Sequence, residues 1–413
     1  MIGSGFGGLA AAVRLAARGF RVTILEKLDA PGGRAYVHQR DGFSFDAGPT
    51  IITAPFLLEE LWNLCGRRFA DDVDLRLMDP FYRIRFDDGR VFDYSGDADK
   101  VKAQIAQYSP EDAVGYDRFM AMSEKVFKVG FEDLAHVPFT NLTDMLRIVP
   151  DMAMLQSYRT VYGLVSSYIK DPFIRQVLSF HPQLIGGNPF TVTSIYVLIS
   201  FLERKWGVHS AMGGTGAVVN GLVSLVEGQG TEIRYNAEVE RILTRNGKAT
   251  GVRLASGEEI AADVVVSDVD PATTYGKLMA EHPRKRWTDG KIKRSKFSNG
   301  LFVWYFGTKR QYPDVKHHTI LLGPRYRELI QDIFKRKTLA EDFSLYLYRP
   351  TATDPSLAPE GCDAFYVLAP VPHLGGDAVW ETQAEPYRAR IAKYLSDTIL
   401  PGLEDQIATS LVT

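Results

Sequence analysis

The residues best placed to do chemistry in this chain stand at its start, in the stretch MIGSGFGGLAAAVRLAARGFRVTILEK. Gly3, Gly5 and Gly8 fit G-x-G-x-x-G. That spacing lets a backbone approach a pyrophosphate and aims the N-terminus of the following helix at it. Glu26 lies 18 positions beyond Gly8, close to where a carboxylate at the tip of the second strand can bind the hydroxyl pair of a ribose. An acid there favours an adenosine ribose without a 2′-phosphate. No second constellation competes with this one. Cys65 and Cys362 form neither a C-x-x-C nor a disulfide framework, which suits a reducing compartment. The eight histidines are scattered, no metal site is predicted, and the adjacent His317 and His318 are read as solvated side chains of a loop.

A phosphate loop needs a strand before it and a helix after it. Leu9 to Arg18 is rich in Ala and Leu, good helix formers, and Gly19 stands where such a helix would stop. Arg21 to Leu25 then reads as a short β-branched strand ending at Glu26. Only Met1 and Ile2 precede the loop, so the pattern predicts a fragment whose first strand is completed by an upstream segment. Without it, neighbouring strands are expected to lack ladder partners. Turns follow at Pro31-Gly32-Gly33-Arg34, Asp41-Gly42 and Gly48-Pro49, and a hairpin is expected around Asp88-Gly89 between YRIRF and RVFDY.

From about Ser109 to Trp206 the chain reads as helix with large apolar residues on many faces; Ile195, Leu198, Ile199 and Leu202 fall at helical spacing. Such a region is either a packed helical domain or a greasy surface or tunnel. Around residue 213 the α/β pattern returns, with a helix in GGTGAVVNGLVSLVEGQG and short strands joined at Asn246-Gly247 and Ser256-Gly257. DVVVSD reads as a strand covered on both faces. The fold class expected is α/β: a Rossmann-like dinucleotide-binding domain, residues 1–72 and 206–278, with an inserted substrate domain, residues 73–205 and 279–413. The inserted domain is expected to be partly helical and partly β-sheet.

With 413 residues, 45% of them hydrophobic, the chain can bury a sizeable core, and a formal charge of −2 gives no general attraction to nucleic acid. No signal peptide is evident, and no apolar run reaches the roughly 18 residues needed to span a bilayer. The chain is therefore expected to be soluble or to lie on a membrane without crossing it. Seven Lys or Arg lie between Arg284 and Lys296. They form either a solvated face or a patch for anionic headgroups, worth about 1 kcal/mol per basic residue near the surface. No nucleic-acid partner is expected.

Further motifs carry a resemblance: PGGRAYV, GFSFDAGPTIIT, FHPQLIGGNPF, GGTGAV, LFVWYFG, GPRYRELI, EDFSLYLY and APEGCDAFYVLAPVPHLG. Along its whole length the chain resembles the bacterial and fungal-type phytoene desaturases, FAD enzymes of the amine-oxidase-like flavoprotein superfamily. The resemblance implies stepwise dehydrogenation of phytoene, a long apolar polyene, towards neurosporene or lycopene in carotenoid biosynthesis. A hydride would leave an allylic carbon for flavin N5 and a proton would leave its neighbour. It further implies that Gly3, Gly5, Phe6, Gly7 and Gly8 surround the FAD pyrophosphate and that Glu26 binds the ribose. Gly33 and Arg34 would lie beside phosphate and flavin, and Gly48, Pro49 and Thr50 near the isoalloxazine. Val239 would give backbone contacts to adenine, with Asp268 close by. It also implies work at a membrane surface; with the basic run and the cysteine usage, the expectation is a cytoplasmic protein attached peripherally to the inner face of the cell membrane, with anionic lipid as partner and the oligomeric state open. A glycine-rich C-terminal segment that closes over the flavin in this family has no counterpart in LPGLEDQIATSLVT.

A proton acceptor is less evident. Asp144 and Arg147, at i and i+3 of a predicted helix in an apolar stretch, form either a structural ion pair or a buried acid–base pair. Three functions stay open: phytoene desaturase; a sister carotenoid oxidoreductase such as an isomerase, ketolase or later-step dehydrogenase; and a prenyl-lipid carrier without catalysis. Glu26 with PGGR speaks against the carrier, which has no use for a ribose carboxylate.

Overall fold

In a computed structural model, the structure describes residues 1–138 and 141–413, with Leu142 by its backbone alone. The chain divides into two compact units, Met1–Arg76 with Ser210–Phe297 and Leu77–His209 with Ser298–Thr413. The crossings thus fall after residues 76, 209 and 297, where 72, 205 and 278 were expected. The largest difference has a physical source. Residues 279–297 are tied to the first unit by an ion pair between Glu281 and Arg241 and by the His282 ring, which meets Thr244 Oγ1 at 2.9 Å. The Arg284 guanidinium adds a hydrogen bond to the Tyr275 carbonyl.

The first unit is built on a small parallel sheet. Thr23–Leu25 pairs in parallel with Glu232–Arg234, and on its other side Ile2 bridges both Leu25 and Ser267. Both neighbours therefore make backbone bonds with Met1–Ile2. Leu25 N–H donates to the Met1 carbonyl (2.9 Å), Gly3 N–H to that of Leu25 (2.9 Å), Ile2 N–H to that of Val266 (2.8 Å), and Asp268 N–H to that of Ile2 (3.0 Å). DVVVSD is not the doubly covered strand expected. It forms a single bridge, between Ser267 and Ile2, and Val264 is left 65% exposed.

The helix after the loop runs Phe6–Ala16, starting before the apolar run because Gly5 already supplies its first carbonyl, to the Leu9 N–H (2.9 Å). Its buried Leu9, Ala12 and Val13 lie at helical spacing and pack with Val218, Leu222 and Val226 of the helix Thr215–Gly228. Each such buried Leu or Val contributes roughly 1.5–3 kcal/mol. The unit also holds the antiparallel pair Val37–Arg40 with Phe43–Asp46 and a three-stranded antiparallel sheet: Val239–Arg245, Lys248–Leu254 and Glu259–Ala261. The first hairpin of the three-stranded sheet turns at Asn246 and Gly247, with φ of 53° and 76°, as a two-residue turn of this sequence demands.

The second unit holds a seven-stranded sheet in the order Ile407–Val412, Gly300–Thr308, Asp363–Val371, Leu345–Tyr348, His318–Leu322, Tyr82–Phe86, Val91–Tyr94. All its pairs are antiparallel except His318–Leu322 with Tyr82–Phe86. The hairpin expected at Asp88-Gly89 is present, pairing Tyr82 with Tyr94. The helix Trp380–Thr398 buries Tyr387, Ile391 and Leu395 in the same core as Phe302, Trp304 and Phe365 of the sheet. His317 and His318 are not solvated loop residues. His318 opens a strand with neighbours on both sides, and both rings are buried. Burial pushes His317 down to about 3, helped by the nearby Arg349 cation, and holds His318 well below the ordinary imidazole range.

Candidate cofactor site

In the first unit, four loops that are distant in sequence meet around the start of the helix Phe6–Ala16. A side chain on Gly8 would put its Cβ 2.2 Å from the Gly3 carbonyl oxygen, so only glycine lets the helix begin there. Gly5 and Gly32 form a backbone bridge, and Gly32 N–H donates to the Ser4 carbonyl (3.0 Å). Gly33 follows, close enough that a Cβ on it would lie 3.2 Å from Gly5 Cα. Gly48, on the third loop, packs against the second, since its Cβ would stand 2.1 Å from the Arg34 carbonyl oxygen. The fourth loop joins through Thr215, whose hydroxyl donates to the Pro49 carbonyl, and Gly216, whose N–H meets Asp46 Oδ1 at 3.4 Å. Phe6 is half-buried against the helix core, Arg34 and Pro49 are exposed, and Thr50 is buried.

Glu26 is 4% exposed and is held from two sides. Its Oε2 accepts from Ser4 N–H (2.8 Å) and Ser4 Oγ (2.7 Å), and its Oε1 from Leu28 N–H (2.9 Å). An ionised carboxylate offers about four lone-pair sites, so three are used and one remains for a hydroxyl donor. The Glu26 carbonyl accepts from Ala237 N–H (2.7 Å), which carries the chain on to Val239, whose side chain is buried beneath the antiparallel sheet. Asp268 is exposed, with its carboxylate lying over Gly5 and Gly7. Sequence reasoning missed Ser4, Asp46 and Thr215. Their hydrogen bonds span 22, 170 and 166 residues, and no local pattern encodes them.

Asp144 and Arg147 lie in the second unit, on the short helix Leu142–Arg147. Asp144 N–H is capped by Asn141 Oδ1 (2.9 Å); Asp144 is half-buried and Arg147 exposed, beside the exposed Met145 and Leu146. The burial that an acid–base reading of this pair required is therefore not found. Among the buried carboxylates of this unit, Glu203 accepts from Tyr82 Oη (2.6 Å) and contacts His181 Nε2 (3.0 Å). Burial, then the Glu203 charge, hold the Tyr82 hydroxyl well above the ordinary phenol range. Among the described residues no group of three or more His, Cys, Asp or Glu could hold a metal ion, and no helix is long and apolar enough to cross a membrane.

The family described as flavin containing amine oxidoreductase matches residues 6–406. A neurosporene-forming phytoene desaturase of Cereibacter sphaeroides is 48% identical over 417 residues, covering 100% of this chain and 80% of that protein. A lycopene-forming one of Pseudescherichia vulneris is 49% identical, covering 100% of this chain and 84% of that protein. The chain belongs to the phytoene desaturase branch of the flavin-containing amine oxidoreductases. Among solved structures, an oxidoreductase of Methanosarcina mazei aligns over 100% of this chain and 86% of its own with a TM-score of 0.65 at 18% identity, a likeness of fold.

The branch uses FAD, and the residues of the first unit fit that cofactor. The loops come together without side chains at Gly5, Gly8, Gly33 and Gly48, where an added Cβ would meet neighbouring backbone or the Asp268 carboxylate, and the buried carboxylate keeps a lone pair for a ribose hydroxyl.

Proposed function

We propose that this protein is an FAD-dependent desaturase that introduces double bonds into phytoene, towards neurosporene or lycopene. The observation that carries this reading is the 48–49% identity, over the whole chain, to proteins that bear those two names. When bound, FAD supplies a hydride acceptor that works without a metal. The chain's own part is to bind and to orient. The N-terminus of Phe6–Ala16 and the glycine faces of residues 3–8 receive the pyrophosphate, and Glu26, held by Ser4, receives the ribose. The turns at Gly33–Arg34 and Gly48–Thr50 are assigned to the isoalloxazine side. A polyene offers nothing to hydrogen-bond, so it is bound by apolar burial. The second unit, rich in aromatic side chains, is assigned to it.

The proposal includes peripheral attachment to the cytoplasmic face of a membrane, where such a substrate resides. Two features support it. Leu146, Val149, Met154 and Tyr158 are apolar or aromatic side chains left 51–76% exposed on and after two short helices. Six basic residues from Lys285 to Lys296 are exposed as well.

The deciding experiment supplies the flavin-loaded protein with phytoene in lipid vesicles and separates the products by chromatography with absorption detection. Polyenes of lengthened conjugation are expected. Loaded protein that leaves phytoene untouched but converts a later carotenoid would replace this reading with that of a sister oxidoreductase.

A further inference from the structure

One charged group lies where the cofactor's own charge must go. The second glycine of a G-x-G-x-x-G loop leaves out a side chain so that the pyrophosphate can take its place. In this chain that place is held by Asp268. A Cβ built on Gly5 would lie 2.9 Å from Asp268 Oδ2, and one built on Gly7 would lie 2.3 Å from Oδ1. Gly8 faces the same carboxylate, its Cβ falling 3.3 Å from Oδ2. Three glycines of the phosphate loop therefore pack against one carboxylate.

The chain fixes Asp268 there through its backbone. Its N–H donates to the Ile2 carbonyl (3.0 Å), one bond in the parallel ladder that also positions the loop. Among the described residues no Lys or Arg forms an ion pair with it. What favours a carboxylate at this point is the N-terminus of the helix Phe6–Ala16, whose free N–H groups and dipole attract negative charge. A bound pyrophosphate draws on the same attraction.

We propose that Asp268 is an internal occupant of the pyrophosphate seat, a carboxylate that the FAD pyrophosphate must displace and that weakens loading of the cofactor. The proposal rests on the reading that the loop at residues 3–8 seats the pyrophosphate. It assigns Asp268 a role opposite to that of a cofactor-holding group: removing its charge strengthens binding of the anionic part of FAD and leaves the neutral part unaffected. The side chain is exposed, and among the described residues it makes no hydrogen bond or ion pair, so substitution is compatible with folding.

The test uses the full chain stripped of flavin, titrated by calorimetry with ADP and with adenosine, and with FAD by quenching of flavin fluorescence. Asp268→Asn and Asp268→Ala are expected to bind ADP and FAD about two- to fivefold more tightly than the parent chain, the size of a carboxylate's interaction with a helix terminus. Adenosine, which carries no phosphate, is expected to bind all three proteins alike. Equal or weaker ADP binding by both variants overturns the proposal, as does an equal gain for adenosine. Gly5→Ala separates this from the reading beneath it. If Gly5→Ala leaves ADP affinity intact, the pyrophosphate does not sit on this loop and both fall. If Gly5→Ala abolishes ADP binding while the Asp268 variants match the parent, only the occupancy falls.

Discussion

Glu26 takes three hydrogen bonds from its own surroundings before any ligand arrives, two of them from Ser4. This fixes the carboxylate in one orientation, so a ribose hydroxyl donating to its remaining lone pair meets a group that has little freedom left to lose. A hydrogen bond to a charged group contributes about 1.5–3 kcal/mol, and Glu26→Ala is expected to weaken FAD binding by that amount. Ser4→Ala removes the hydroxyl bond but keeps the backbone one, and its expected cost is smaller, about 0.5–1.5 kcal/mol. Fluorescence titration with FAD measures both, and an unchanged affinity in Glu26→Ala would refute the ribose assignment. At this scale the sequence was legible where chemistry follows a fixed spacing. Gly3, Gly5, Gly8 and Glu26 could be placed by counting. Ser4 could not, because it occupies a variable position of the motif and acts on a residue 22 positions away. Asp144 and Arg147 were singled out because i, i+3 spacing puts two charges on one helix face, but spacing carries no information on burial, and Arg147 lies in solvent.

Elements were legible where local propensity and tertiary pairing agree, as in Phe6–Ala16, the Asn246-Gly247 hairpin and the one at Asp88-Gly89. They were misread where pairing decides. DVVVSD has strand composition but forms a single bridge, at Ser267, and of the polar pair His317-His318 the second opens a strand that has antiparallel and parallel neighbours, while both rings are buried. The short helices Leu142–Arg147 and Val149–Met154 show a third case, since four of their apolar residues suggest a core and yet are exposed. Met145, Leu146, Val149 and Met154 are 44%, 60%, 51% and 65% exposed. A bilayer surface would remove them from water at about 25 cal/mol per Å² of apolar area, and the basic run would add a salt-sensitive attraction to anionic lipid. Co-sedimentation is therefore expected with vesicles containing anionic lipid, more weakly at raised salt, and weaker again for the double variant Leu146→Glu, Val149→Glu. If the double variant sediments as well as the parent, these helices are not the docking face. If neutral vesicles bind equally at every salt concentration, the basic run has no share.

For the chain as a whole, an α/β cofactor unit interrupted by a second unit could be read from the order of its patterns, because each crossing changes the hydrophobic period. The third crossing was displaced because residues 279–297 lack a strong period, and what binds them to the first unit is side-chain bonding by Glu281, His282 and Arg284. What no pattern disclosed is how much of the second unit's stability depends on keeping imidazoles neutral. His317 is held down to about 3 and His318 well below its ordinary range, both chiefly by burial. Around them stand Arg349, an added cation, and the rings of Tyr82, Tyr346 and Tyr348; Thr353 Oγ1 meets His317 Nδ1 at 2.7 Å and Tyr346 Oη meets His318 Nδ1 at 2.6 Å. In the unfolded chain both rings titrate near 6.5. Below that pH the unfolded state takes up protons that the folded state refuses, so stability is fully present above about 6.5 and falls as pH drops towards 3. The slope reaches about 1.4 kcal/mol per pH unit for each ring. Between pH 7.5 and 5.5 the two together are expected to remove about 2–3 kcal/mol. Urea unfolding of the parent and of the double variant His317→Gln, His318→Gln at both pH values isolates this contribution, since glutamine keeps hydrogen-bonding capacity and cannot titrate. The parent should lose that much more stability than the variant on acidification; if both lose the same amount, the acid sensitivity lies elsewhere in the chain.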